Sequence, residues 1–218
     1  NSDEELELLE QEVKSKRAAC EKHAEKLTAL RREAIKTVEE QMSSRLIPLG
    51  IPNVRFKVEL LPKPLAMDGG DKVQFLFSAN TSTAMEPVAQ VASGGEIARV
   101  MLSLKAMVSG AVKLPTIIFD EIDTGVSGKI AQKMALIMQE MGDNNRQVIS
   151  ITHLPQIAAL GSSHYKVEKK ETAEGTHSHM RELTGEQRVN EIAQMLSGAD
   201  VSDAALQNAR ELLELSKR

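Results

Sequence analysis

The 218-residue sequence is poor in several things, and each shortage excludes something. It has one cysteine, Cys20, so no internal disulfide can form, and a reducing compartment suits it. It has no tryptophan and only 2% aromatic residues, so Leu, Ile, Val, Met and Ala must fill the core. Hydrophobic content of 41% is enough for one. No apolar run approaches the roughly 18 residues of a membrane-spanning helix. The amino terminus is acidic and polar, unlike a secretory signal. No charge of one sign dominates: the net charge is −4, with both signs mixed, so no overall footprint for nucleic acid is visible. The chain opens on Asn1, not a methionine, which suggests a fragment or a processed chain. Finally, no Gly-x-x-x-x-Gly-Lys-Ser/Thr phosphate loop occurs; Gly128-Lys129-Ile130 lacks both the leading glycine and the hydroxyl.

Up to Pro48 there is neither glycine nor proline. That stretch is dense in Glu, Lys, Arg, Leu and Ala, which predicts a helix over about 3–46. Leu6, Val13, Cys20, Leu27 and Ala34 recur every seven residues, with Leu9, Ala24, Leu30 and Val38 as a looser second line. This is the pattern of one coiled-coil strand, and one strand cannot bury its own stripe. A long amphipathic helix lying on a globular domain is the other reading. Pro48, Gly50 and Pro52 end the helix. Alternation over 54–60 predicts a half-buried strand, 62–70 a loop, and 73–78 a second strand antiparallel to the first. Residues 80–87 read as a further loop.

The stretch that organises the rest is Thr116-Ile117-Ile118-Phe119-Asp120-Glu121-Ile122-Asp123-Thr124-Gly125. A short apolar run with these edges reads as a parallel strand. Its carboxyl end then carries Asp120 and Glu121, where open α/β sheets bind ligands. A Mg²⁺–nucleotide site would use both acids, one near the metal and one to activate water. A surface acidic turn is the plain alternative. Ser93-Gly94-Gly95-Glu96 stands before a strongly helical pattern, so free amides converge there into an anion site; an ordinary capping box would look the same.

A helix is predicted over 128–141 with Ile130, Met134, Ile137, Met138 and Met141 inward and Gly142 as its stop. A strand over 147–152 leads to His153, and Leu154-Pro155 opens a helix to Leu160. Strand, helix, strand implies a right-handed crossover and a parallel pair. Strands follow at 165–169 and 176–183, then helices at 188–196 and 201–215. Leu206, Ala209, Leu212 and Leu213 should face inward on the last helix. His177 and His179 share one strand face but lack a spaced third metal ligand.

Taken in order, Val91-Ala92-Ser93-Gly94-Gly95-Glu96, the strand ending Asp120-Glu121, the Asp123-Thr124-Gly125-Val126-Ser127-Gly128 turn and the strand ending in His153 resemble the carboxyl-terminal lobe of ABC-type ATPase heads. The preceding coiled-coil strand narrows this to the SMC-like branch. The wording Thr152-His153-Leu154-Pro155-Gln156-Ile157-Ala158 and Glu191-Ile192-Ala193-Gln194-Met195-Leu196-Ser197-Gly198 is similar to the bacterial SMC-like DNA repair proteins.

The resemblance implies an α/β fold: a lobe of a P-loop ATPase head with a mostly parallel sheet (47–218), preceded by a coiled-coil strand (1–46). It implies ATP and Mg²⁺ as cofactors. Asp120 would hold Mg²⁺ through water, Glu121 would be the general base, and His153 would contact the γ-phosphate side. Ser93, Gly94, Gly95 and Glu96 would bind nucleotide held by an opposing head, and Asp123 would cross the interface between heads. It also implies hydrolysis of ATP sandwiched between two heads, in double-strand break repair and recombination. The partners would be an amino-terminal half carrying the phosphate loop and the second coiled-coil strand, a second head, and DNA. The setting would be the bacterial cytoplasm and nucleoid, with no membrane. Another SMC-like or ABC head, or a module that binds ATP without hydrolysing it, remains the alternative.

Overall fold

The computed structural model describes residues 2–91, 93–198 and 200–217. Ala92, within the expected phosphate-binding wording, lies outside the described residues. The chain forms two compact units, Asn1–Ala92 and Ser93–Arg218.

In the first unit, α1 runs unbroken over Ser2–Leu46. Asp3, Glu4 and Glu5 open it and Arg45 lies in its last turn, a charge order that suits the helix dipole. Residues 2–23 are exposed throughout, including Leu6, Leu9 and Val13. The carboxyl-terminal half packs on an antiparallel hairpin, β1 (Arg55–Ala66) and β2 (Gly69–Ser78), and buries Met42 and Leu46 completely. Phe56 pairs with Phe77, and Val58 with Phe75.

The hairpin is longer than its periodicity predicts. The expected loop over 62–70 is mostly strand, with Pro62 opposite Asp71 and Ala66 opposite Gly69. An irregularity between Pro62 and Ala66 accommodates the two prolines, which cannot donate to a ladder. Gly69 closes the turn at φ +99, which a side chain rarely adopts. Asp71 then ties the hairpin to α1. It accepts from Thr28 Oγ1 at 2.6 Å and Arg31 Nη1 at 3.1 Å, and these hold its carboxyl below the usual carboxylate range. A short β3 (Glu86–Pro87), in the expected loop, pairs with β2.

The second unit carries the crossover. Helix α2 (Gly94–Ser109) precedes β4 (Thr116–Asp120), α3 (Gly128–Asp143), β5 (Gln147–Ile151) and α4 (Pro155–Leu160). β4 and β5 are parallel, Thr116 opposite Gln147 and Asp120 opposite Ile151. This pair is the parallel part of the fold; the other two sheets are antiparallel. On α3, Met134, Met138 and Met141 are buried, while Ile130 and Ile137 are half-buried. Gly142 does not stop α3, which continues to Asp143. The turn that follows uses Asn145 at φ +58, a conformation asparagine tolerates.

β6 (His164–Thr172) and β7 (Gly175–Leu183) make an exposed antiparallel ribbon. Helices α5 (Gly185–Ser197) and α6 (Asp203–Leu215) close a small core of Ala159, Val189, Ile192, Ala193, Ala205 and Ala209. Among the described residues no group of three metal-ligating side chains forms, which leaves His177 and His179 without a third ligand. No helix among them is long and apolar enough to cross a membrane.

Candidate functional site

Strand alternation builds the site. Ile117 and Phe119 point into the core at 5% and 2% exposure, which turns Thr116, Ile118 and Asp120 to the other face. Glu121 follows at φ +49, a left-handed conformation that costs a non-glycine residue about 1 kcal/mol or more. Two bonds hold it there. Glu121 N donates to Ile151 O at 3.0 Å, continuing the parallel ladder, and Thr124 Oγ1 donates to Glu121 O at 3.1 Å. The carboxylates of Asp120 and Glu121 are exposed, and no described side chain pairs with either.

Asp123 is the opposite case. It is 1% exposed and lies inside the turn. Thr152 Oγ1, just past the end of β5, donates to Asp123 Oδ2. The same hydroxyl accepts from Leu154 N at 3.0 Å, which fixes the chain as it enters α4. Asp123 Oδ1 has no hydrogen-bond partner among the described residues, and His153 Nδ1 stands 3.8 Å from it. His153 itself is 62% exposed. The Asp123 side chain thus faces Thr152 and His153 within this chain.

Ser93 caps α2, its hydroxyl accepting from Glu96 N at 3.4 Å, while Ile97 N closes the first turn on Ser93 O. Gly94 is exposed, with open space where a side chain would stand. Gly95 is different: a Cβ there would come within 3.3 Å of Thr124 O. The glycine lets the amino end of α2 rest on the turn that follows the acid pair. Arg99 Nε returns to Gly95 O at 3.0 Å. At Gly128 a Cβ would meet the amide end of Gln156 at 2.8 Å, a flexible side chain that can move aside.

The structure thus gathers Asp120, Glu121, Asp123 and His153 at the carboxyl ends of β4 and β5, and sets Ser93–Glu96 against the same turn. Thr152 is a participant to which sequence reasoning gave no role. A hydroxyl between a strand and a histidine gives no signal until its partner across the sheet is known.

Solved structures share this fold. The Smc head domain with an extended coiled coil from Pyrococcus furiosus superposes with a TM-score of 0.55 at 16% identity, over 99% of this chain and 46% of that one. The Smc head with coiled coil and joint from Pyrococcus yayanosii gives 0.53 at 19%, over 99% and 38%. The fold is that of part of an SMC-type head. No protein-family model matches the chain. Individual sequences do: DNA repair protein RecN of Halalkalibacterium halodurans is 35% identical over 99% of this chain and 39% of its own length. RecN of Deinococcus radiodurans is 40% identical over 94% and 36%. RecN of Vibrio cholerae is 35% identical over 97% and 38%. Over nearly its whole length the chain is similar to the carboxyl-terminal part of these RecN proteins. It spans less than two-fifths of the length of these curated relatives.

Proposed function

We propose that this chain is the carboxyl-terminal lobe and one coiled-coil strand of an ATP-hydrolysing SMC-like head that acts in DNA repair. Residues 1–46 are the coiled-coil strand and 47–218 belong to the lobe. The observation that carries this reading is the pair of exposed carboxylates, Asp120 and Glu121, unpaired among the described residues, at the carboxyl end of a parallel strand beside the strand that leads to His153.

The residues suit Mg²⁺–ATP. Magnesium binds through one or two carboxylates plus phosphate oxygens and keeps several waters, so it needs no full protein cage. Two exposed acids with no described cation beside them match that demand. Asp120 would hold the ion, whose charge would offset that of the phosphates. Glu121 would accept the proton of the attacking water, in a position held by its two backbone bonds. His153, exposed at the same edge, would contact the γ-phosphate side. The amino end of α2, with Ser93, Gly94, Gly95 and Glu96, offers amides and a helix dipole to the ATP of a second head.

Two features support a requirement for an amino-terminal half. The chain contains no phosphate loop. Ile118, Ile149 and Ile151, on one face of the β4–β5 sheet, are 59%, 40% and 50% exposed, although parallel sheets are normally covered on both faces. DNA and a second head are further partners in this reading.

The test is ATP hydrolysis by this chain mixed with its amino-terminal half. Activity should appear in the mixture. Glu121→Gln should lower turnover by at least about 100-fold, the scale of lost general-base catalysis, while ATP binding survives. Near-normal turnover in that variant would remove Glu121 from the role of base.

A further inference from the structure

We propose that Thr152 and Asp123 form a positioning pair, within one chain, that sets the orientation and tautomer of His153. The inference rests on the reading of His153 as a phosphate-facing residue for its purpose, but not for its geometry.

Asp123 is buried to 1% exposure, and a buried carboxylate must have its lone pairs used. Oδ2 is used by the Thr152 hydroxyl. That hydroxyl has one proton, and giving it to Asp123 leaves only acceptor capacity, which Leu154 N takes up at 3.0 Å. The hydroxyl's one proton is therefore committed, and its direction is set by Asp123 on one side and Leu154 N on the other. Oδ1 is left as an open acceptor, buried and without a hydrogen-bond partner among the described residues. The one titratable ring nitrogen recorded beside it is His153 Nδ1, at 3.8 Å. This separation is longer than a hydrogen bond and within reach of a small ring rotation.

An open carboxylate oxygen beside an imidazole nitrogen favours a proton on that nitrogen, because which ring nitrogen is protonated follows from the bond the other makes. His153 then carries its proton on Nδ1, facing Asp123, and presents Nε2 on the exposed side of the ring. Without the pair an exposed histidine prefers the proton on Nε2, and its ring is free to turn. The turn after the acid pair and the strand end before α4 are thereby joined through a side chain, so Glu121 and His153 are held by neighbouring parts of one network. Thr152 and Asp123 are positioning residues here; neither is asked to touch substrate.

The test reads the tautomer directly. The wild-type protein is labelled with ¹⁵N in its histidine rings, and the His153 signals are assigned by their loss in His153→Gln. With the ring neutral, the wild type should show protonation on Nδ1. Thr152→Val and Asp123→Asn should move it to Nε2, and Thr152→Ser, which keeps the hydroxyl, should restore the wild-type pattern. In the mixture with the amino-terminal half, Thr152→Val should lower ATP turnover at least about tenfold, with Thr152→Ser recovering most of it. A wild-type ring protonated on Nε2, or a pattern unmoved by Thr152→Val, overturns the proposal whatever the turnover. The expected tautomers with no turnover change in Thr152→Val would leave the pair in place and count against the phosphate-facing reading of His153. If Thr152→Val does not fold, the wild-type tautomer alone decides.

Discussion

Burial divides the ionisable side chains of this chain into those that hold the fold and those left for chemistry. Asp120, Glu121 and His153 are exposed, whereas Asp123 is buried and tied. His164 belongs to the first class. It sits half-buried with Nδ1 unpartnered among the described residues, beside Arg188, Lys166 and Glu191. Burial chiefly, then the charges of Arg188 and Lys166, push its pKa below the ordinary 6.5, against an opposing pull from Glu191. The unfolded chain therefore binds the proton first as pH falls. Stability should be fully present above pH 6.5 and decline as pH drops from there through the lowered folded value. His164→Gln should flatten that part of the profile. Denaturant melts between pH 7.5 and 5 check this, and an unchanged slope in the variant would assign the loss to other groups. Arg188 has a second task, since its Nη2 donates to the carbonyls of Ala158 and Ala159 in α4 and to that of Gly161 just beyond it.

The parallel pair β4–β5 shows how an element can be well formed yet unfinished. Its inner face is filled by Ile117 and Phe119, and its outer face leaves Ile118, Ile149 and Ile151 in water. Full burial of one such side chain is worth about 1.5–3 kcal/mol, so a covering layer has a large incentive to bind. Ile118→Lys should leave the chain's own stability within about 0.5 kcal/mol, as exposed substitutions do. It should weaken association with the amino-terminal half at least about tenfold, because a charge would then be buried in the joint. Calorimetric titration measures this; equal affinity would show that another surface is covered. The hairpin β1–β2 makes the converse point. Its residues 62–70 read as a loop from their prolines and glycines, yet they pair, because the turn at Gly69 and the clamp of Asp71 to α1 supply order that local propensity does not.

Across the whole chain, α1 is the feature that most requires company. Its first 22 described residues are exposed, with Leu6, Leu9 and Val13 at 57%, 59% and 61%. A helix with an uncovered heptad stripe gains most of its stability from the strand that covers it. Amide hydrogen exchange over 2–23 should be fast in this chain alone and strongly slowed in the mixture with its amino-terminal half. Exchange that stays fast in a mixture with ATPase activity would show that the stripe is not a coiled-coil seam.

Much of this was legible in the residues themselves. Helix α1, the order of the elements, the parallel crossover and the acids at the end of β4 follow from propensity, period and turn chemistry, which act between near neighbours in the chain. The RecN relationship follows from the same ordered motifs. What only the tertiary structure decided are the contacts between residues far apart in sequence. Asp123 turns inward because Thr152, 29 residues on, lies across the parallel register. A side chain at Gly95 would press on the carbonyl of Thr124, a contact the local sequence does not show. Such pairings depend on how β4 and β5 align and on which face each side chain takes. Periodicity along one strand specifies the faces but not the partner, so the bond between Asp123 and Thr152 could not be read from either segment alone.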